Sequence, residues 1–84
     1  MIVVNTIDAG KQYNVIKFVD GVGEGKSPAT SKNMSLEAMI KKAESVNADA
    51  IVNVRLTHSF AVLERWGASE FHVTLASGTA VKFI

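Results

Sequence analysis

Two histidines are the residues of this sequence best suited to bind a metal ion. His58 and His72 are the only imidazoles among the 84 residues, and they fall at the ends of consecutive predicted strands. Antiparallel pairing of those strands would bring the two rings close together on the polar face of a sheet. A zinc-type site would still need Asp, Glu or a second subunit as further ligands. The alternative interpretation is two ordinary surface or interface histidines.

The segment "VDGVGEGKSP", residues 19–28, ends like a phosphate-binding loop. Such a loop needs a glycine five positions before Gly25, where the chain has Asp20, and a helix that begins directly after it. Residues 27–33 show no apolar helical period, so we expect a glycine-rich strand end or bulge instead of a nucleotide site. Glycines at alternate positions of an extended strand would leave one side bare for close packing. These glycines are Gly21, Gly23 and Gly25.

Other catalytic patterns are weak. Neither histidine lies in a nucleophile motif such as G-x-S-x-G, and Ser77 precedes a glycine in "ASGTA" as an ordinary turn serine does. Glu64 and Glu70 flank a predicted turn, where solvated carboxylates are common. The sequence therefore predicts no catalytic residue, and we expect a protein that is not an enzyme.

The clearest structural element is a helix in "SLEAMIKKAESVNADA". Its apolar residues recur at the i, i+3, i+4, i+7 spacing of a single stripe. We expect Ser35 to cap the helix and Asn47 to end it. One apolar stripe needs one covering surface, which the flanking strands can supply as a sheet. The stripe consists of Leu36, Met39, Ile40, Ala43 and Val46.

Four segments are predicted strands, and a further short one follows Gly78, where the chain bends or pairs back. In residues 50–58 and 70–76, polar and apolar side chains alternate. The strand segments are residues 1–6, 13–19, 50–58 and 70–76. The predicted inward side chains are Val52, Val54, Leu56, Phe71, Val73 and Leu75, with His72 and Thr74 outward. The predicted fold is α+β, a two-layer β-β-α-β-β unit with one helix on a mainly antiparallel sheet, in a single domain of residues 1–84.

The amino-acid composition indicates which kinds of partner to expect. A formal charge of +1 favours neither nucleic acid nor a membrane, and the lack of cysteine excludes thiolate metal sites and suits a cytoplasmic protein. With 48% hydrophobic residues, so small a domain leaves apolar surface uncovered. We expect that surface between the last two strands, where it would meet another copy of the chain or a ligand. Its residues are Phe60, Val62, Leu63 and Trp66.

Two blocks, "NADAIVNVRL" at residues 47–56 and "VTLASGTAVKF" at residues 73–83, resemble the YbjQ-like family, which is often labelled heavy-metal-binding. The opening "MIVVNT" agrees with the same family. The resemblance implies a core similar to the dodecin subunit, with extra short strands that join five subunits into a ring. It also implies kinship with small archaeal selenium-binding proteins, in which a cysteine carries selenium.

The resemblance thus implies a non-enzymatic homopentameric binding or carrier protein for selenium or a soft metal. No cysteine is present here, and Ser59 is the candidate position of a substituted cysteine. Two alternatives stay open. A flavin-like planar cofactor could stack on Trp66 at a subunit interface, or the chain could be an assembly module without a small ligand.

Overall fold

The computed structural model of the chain describes residues 1–63 and 69–84, and the side chains of residues 1–60 and 71–84. The elements are β1 (Ile2–Val3), β2 (Tyr13–Gly25), α1 (Pro28–Ser45), β3 (Ala50–Leu63) and β4 (Ser69–Phe83). They form a single sheet in the order β1-β3-β4-β2, with α1 packed on one side. The predicted α+β fold with β-β-α-β-β order is confirmed.

β4 lies between β3 and β2 and is antiparallel to both, while β1 pairs in parallel with the start of β3 at the sheet edge. β4 does not bend at Gly78, so the prediction of a separate last strand is wrong. Gly78 instead lies opposite Val19 of β2, and a Cβ there would meet Ile51. Pairing with β2 continues through this glycine without interruption, so β4 remains one strand.

The helix begins well before Ser35, so the predicted start is wrong. Ser27 is the N-cap, with its Oγ accepting a hydrogen bond from the Thr30 N–H at 3.2 Å, and Pro28 opens the first turn. The first two turns bury Ser31 and Ser35. Because these buried side chains are polar, the early turns carry no apolar period. The other end agrees with the prediction, since Val46 is the C-cap.

The alternate glycines of β2 let α1 approach the sheet closely. A Cβ at Gly21 would collide with backbone atoms of Ser35 and Met39, and one at Gly23 with backbone atoms of Ser31 and Ser35. The predicted bare strand side is therefore confirmed, and the helix covers it. These glycines are unavailable to surround a phosphate, although a helix does follow the Gly-Lys-Ser segment.

The main core lies between α1 and the sheet, and a smaller apolar cluster lies on the opposite side. Met39 and Ala43 of α1 are fully buried in the main core. The smaller cluster is covered by the N-terminal segment and by aromatic residues of the strand ends. The main core consists of Val19, Met39, Ala43, Ile51, Ala76 and Ala80, and the smaller cluster of Ala50, Val52 and Val81.

The predicted facing of β4 is wrong. His72, Thr74 and Ala76 are buried under the helix, and the strand's large apolar residues point away from it. The buried face of α1 near this end is made of Ser31 and Ser35, so small and polar partners suit it. Close packing against glycine selects these short side chains over bulkier ones.

β3 also departs from simple alternation. Its register against β4 shifts between Val52 and Arg55, and Asn53 there has φ 54°. The bulge moves the following side chains to the other face of the sheet. Val52 therefore belongs to the smaller cluster while Val54 packs on the main core, so the predicted common face of Val52, Val54 and Leu56 is wrong.

The sheet face opposite the helix is open over much of its length. Phe18 is 64% exposed, Val22 55% and Leu75 41%. The imperfect alternation of residues 13–19 would predict a strand buried on both faces, and this prediction is wrong for the single chain. No helix among the described residues is long and apolar enough to cross a membrane.

Candidate metal-binding site

His58 and His72 lie side by side. His58 Nε2 is 2.9 Å from His72 Nδ1, so one ring donates a hydrogen bond to the other. The rings stack with centroids 5.0 Å apart and an angle of 19° between their planes. The pair lies near the start of α1 on the face that carries the helix, and not on the opposite face as expected from the alternation of β4.

The pairing of β3 with β4 produces this contact. His58 is directly opposite Thr74, and Phe60 is directly opposite His72, so the two histidines are diagonal neighbours. Diagonal positions on one face are within reach of long and aromatic side chains. The Phe60 ring lies 5.3 Å from the His72 ring. His72 is only 5% exposed, and the more accessible His58 reaches across to it.

The start of α1 is fixed beside this pair. Ser31 Oγ lies 2.8 Å from Thr74 Oγ1, and both side chains are buried. On the other side of β4, Gly23 is opposite Thr74 and Gly25 is opposite His72, so bare backbone flanks the site. The Ser31 contact was missed at the sequence level because the helix was expected to start after it.

The geometry of the pair suits one bridging ion. Two nitrogens about 2.0–2.1 Å from a tetrahedral Zn²⁺ lie about 3.3 Å apart. His58 Nε2 and His72 Nδ1 are 2.9 Å apart and hydrogen-bonded to each other, so the rings would have to separate slightly and turn both lone pairs toward the ion. Among residues 1–60 and 71–84, no three His, Asp or Glu side chains form a metal-binding group. The described protein atoms thus supply two ligands.

A small cavity adjoins His58. Its volume is about 140 Å³. Lys32 supplies its one lysine, and Thr74 Oγ1 is already engaged by Ser31. The walls are otherwise largely hydrocarbon. The lining residues are Pro28, Lys32, Leu56, His58 and Thr74.

Of the other predicted residues, Phe60 lies beside His72, whereas Ser59 does not reach the histidines. Ser59 is exposed and lies opposite Val73, on the sheet face away from His58. Phe60 is 55% exposed, as an interface residue would be in a separated subunit. Trp66 and the side chains of Val62 and Leu63 lie outside the described residues.

The fold and the imidazole pair together define a small α+β protein with a two-nitrogen candidate metal site. A family model described as "Putative heavy-metal-binding" matches residues 24–84, and the chain belongs to this YbjQ-like family. The matched part contains both sequence blocks that suggested the family. It does not contain the opening "MIVVNT".

The chain is also similar to two further proteins. A UPF0145 protein of Thermosipho africanus (strain TCF52B) is 46% identical over 52 residues, which are 62% of this chain and 43% of that protein. The aligned part is thus less than half of the relative's length. A protein of unknown function from Pediococcus pentosaceus ATCC 25745, in the DUF74 family, matches with TM-score 0.76 and 18% identity. That match covers 100% of this chain and 98% of the other, and it shows the fold alone.

Proposed function

We propose that this protein is a non-enzymatic, self-associating metal-binding or carrier protein, with His58 and His72 as its metal ligands. The observation that carries the proposal is the 2.9 Å approach of two imidazole nitrogens, one on the buried His72 and one on the exposed His58. A pair formed by the buried His72 and the exposed His58 is a ready donor set that a divalent ion can reach from solvent. The heavy-metal-binding description of the family supports the same ligand class.

The donor set favours ions that accept imidazole. Zn²⁺, Cu²⁺ and Ni²⁺ suit such nitrogens, whereas the softest metals prefer thiolates, which these 84 residues lack. The selenium role that the resemblance suggested depends on a cysteine, and Ser59 cannot form the selenium–sulfur bond. The proposed ligand is therefore a metal ion and not selenium, and Ser59 is not part of the proposed site.

Self-association is the second part of the proposal. Phe60, Phe18 and Val22 are each more than half exposed, and large exposed apolar surfaces on small proteins usually mark interfaces. A homopentameric ring is the form that the family resemblance suggests. Sedimentation velocity and native mass spectrometry at micromolar concentration test it, and a monomer throughout would contradict it.

Metal binding is tested by calorimetric titration of Ni²⁺ and Zn²⁺ into the wild-type protein and His58→Gln. We expect wild type to bind and His58→Gln to lose at least about tenfold in affinity, the lower end of what loss of even an outer-shell partner costs. Thr57→Val is the matched control, because Thr57 precedes His58 on β3 and is exposed on the other face. Equal affinity in all three proteins would contradict the assignment of His58.

The exposed apolar face of the sheet supports a second candidate function, assembly without a small ligand. An assembly module without a small ligand would use the same apolar surface and would leave the histidines as a structural pair. It predicts a stable oligomer in the presence of a strong chelator and no binding heat with either metal. The flavin-like alternative rests on Trp66 and predicts quenching of tryptophan fluorescence by riboflavin.

A further inference from the structure

The sheet face away from the helix carries apolar side chains that are open to solvent. Val22 of β2 lies directly opposite Leu75 of β4, and these side chains are 55% and 41% exposed. Each alternates along its strand with residues buried under α1, which places both on the opposite face. Phe18 lies on the same face of β2 and is 64% exposed. A continuous apolar surface of this kind marks a contact with another molecule.

Opposite charges lie on the two sides of this face. Ser77 of the central strand β4 is directly opposite Asp20 of β2 and also directly opposite Arg55 of β3. Directly opposite residues share a face, so a carboxylate and a guanidinium group flank β4 there. Glu24, opposite Val73, adds a second carboxylate on the β2 side. The face is therefore acidic along β2 and basic at Arg55 of β3.

Both charged groups can accept a further partner. Asp20 Oδ1 accepts a hydrogen bond from Lys42 Nζ at 2.7 Å, and the Asp20 side chain is still 49% exposed. A carboxylate has acceptor sites for several donors, so this ion pair does not saturate it. Arg55 is exposed, and no carboxylate among the described side chains forms an ion pair with it.

We propose that this face binds the same face of a second copy of the chain, with Asp20 of each subunit against the partner's Arg55. A two-fold axis that runs along β4 between the two sheets lays β2 of one subunit over β3 of the other. Leu75 then meets the partner's Leu75, and both Asp–Arg pairs form at once. The inference rests on the self-association proposed above and names the contact that produces it.

The charges select this axis over the other two-fold arrangement of facing sheets. An axis that lies across the strands lays β2 over the partner's β2 and β3 over the partner's β3. That arrangement brings the carboxylates of Asp20 and Glu24 onto the acidic side of the partner and leaves Arg55 on the basic side. Juxtaposed like charges disfavour an interface. Sheets with aligned strands, as the axis along β4 produces, are an ordinary packing about 10 Å apart.

The size of the face predicts a weak dimer. Three strands about 4.8 Å apart and the stretch of β4 from His72 to Thr79 cover about 400 Å² on each subunit. The two subunits together bury about 800 Å², which is below the range of stable protein interfaces and similar to that of transient ones. The contact should therefore depend on protein concentration, and the two charge pairs should have a measurable share in it.

The experiment reverses each charge separately and then mixes the two variants. Asp20→Arg alone places two arginines together at each contact, and Arg55→Asp alone places two aspartates together. We expect each variant to raise the dissociation constant at least about tenfold in sedimentation velocity at low salt. In the mixture, one copy of each variant restores an Arg–Asp pair at both contacts. The mixture should therefore regain the mass distribution of wild type.

Matched charge changes on the helix serve as controls. Glu37→Arg and Lys41→Asp change the charge equally at exposed residues of α1 and should leave the mass unchanged. Urea midpoints of the same samples separate a loss of association from a loss of fold. The exposed pair of Lys42 and Asp20 contributes little to folding, so Asp20→Arg should retain a midpoint close to that of wild type.

The outcomes distinguish this contact from self-association in general. Wild-type mass in both single variants would overturn the inference and leave self-association through Phe60 in place. A reduced mass that mixing does not restore would also overturn it, because the two charges would then not face each other. A wild-type protein that stays monomeric at every concentration would contradict self-association itself.

Discussion

Ser31 Oγ on α1 lies 2.8 Å from Thr74 Oγ1 on β4, and both side chains are buried. This hydrogen bond fixes the first turns of the helix to the strand that carries His72. A buried hydroxyl that loses its partner retains its desolvation cost, whereas loss of both hydroxyls removes that cost. The contact therefore links the stability of the fold to the position of the candidate metal site.

Ser31→Ala should lower the free energy of unfolding by about 1–2 kcal/mol, because the Thr74 hydroxyl is left without this partner. Thr74→Val should have a similar cost. The double variant should lose less than the sum of the two single losses. Urea unfolding at one fixed protein concentration measures all four proteins, and strictly additive losses would contradict a direct coupling.

Gly23→Ala should be more damaging than either of those changes. The added Cβ would collide with backbone atoms of Ser31 and Ser35, which cannot move without shifting α1. Overpacking of this kind costs about 1–3 kcal/mol, and we expect the upper part of that range. Glu24→Ala is the control, because Glu24 is the next residue of β2 and is exposed. A Gly23→Ala protein with the urea midpoint of wild type would contradict the close packing.

The sequence predicted the order of elements because periodicity alone distinguishes a helix from strands. The spacing of Met39 and Ala43 identified the helix, and both residues are fully buried. Its first turns were missed because Ser31 and Ser35 are buried yet polar. The hydrophobic pattern does not reveal a helix face whose residues are small and polar because they pack against glycine.

The candidate site was predictable as a pair of residues but not in its placement. Two histidines on neighbouring antiparallel strands can be brought together by pairing alone, which is why His58 and His72 were named. The face on which they lie depends on which alternate residues of β4 point toward the helix. It also depends on the bulge in β3 after Val52, where Asn53 has a positive φ. The alternation of Phe71, Val73 and Leu75 indicated the wrong face, because these side chains lie on the sheet face away from the helix, where Leu75 is exposed.

Ser27→Ala should reduce stability by about 1 kcal/mol through loss of the N-cap. The Ser27 hydroxyl accepts from the Thr30 N–H at 3.2 Å, and alanine cannot replace that acceptor. Ser45→Ala is the control at the other end of α1, since Ser45 is exposed and its hydroxyl donates only to the Lys42 carbonyl. Thermal unfolding of both variants measures the difference. A greater loss in Ser45→Ala than in Ser27→Ala would be inconsistent with a helix that begins at Pro28.

Phe60→Glu should weaken self-association if the end of β3 meets another subunit. The ring is 55% exposed in the single chain, so the substitution adds a charge where an interface would exclude water. Sedimentation velocity across a range of concentrations should show a shift toward lower mass. Asn33→Glu adds the same charge at an exposed helix position and should leave the mass unchanged. An oligomer of equal mass and stability in both variants would exclude Phe60 from the interface. The open sheet face at Phe18 and Val22 would then be the next candidate interface. Val22→Glu, measured in the same way, tests that face.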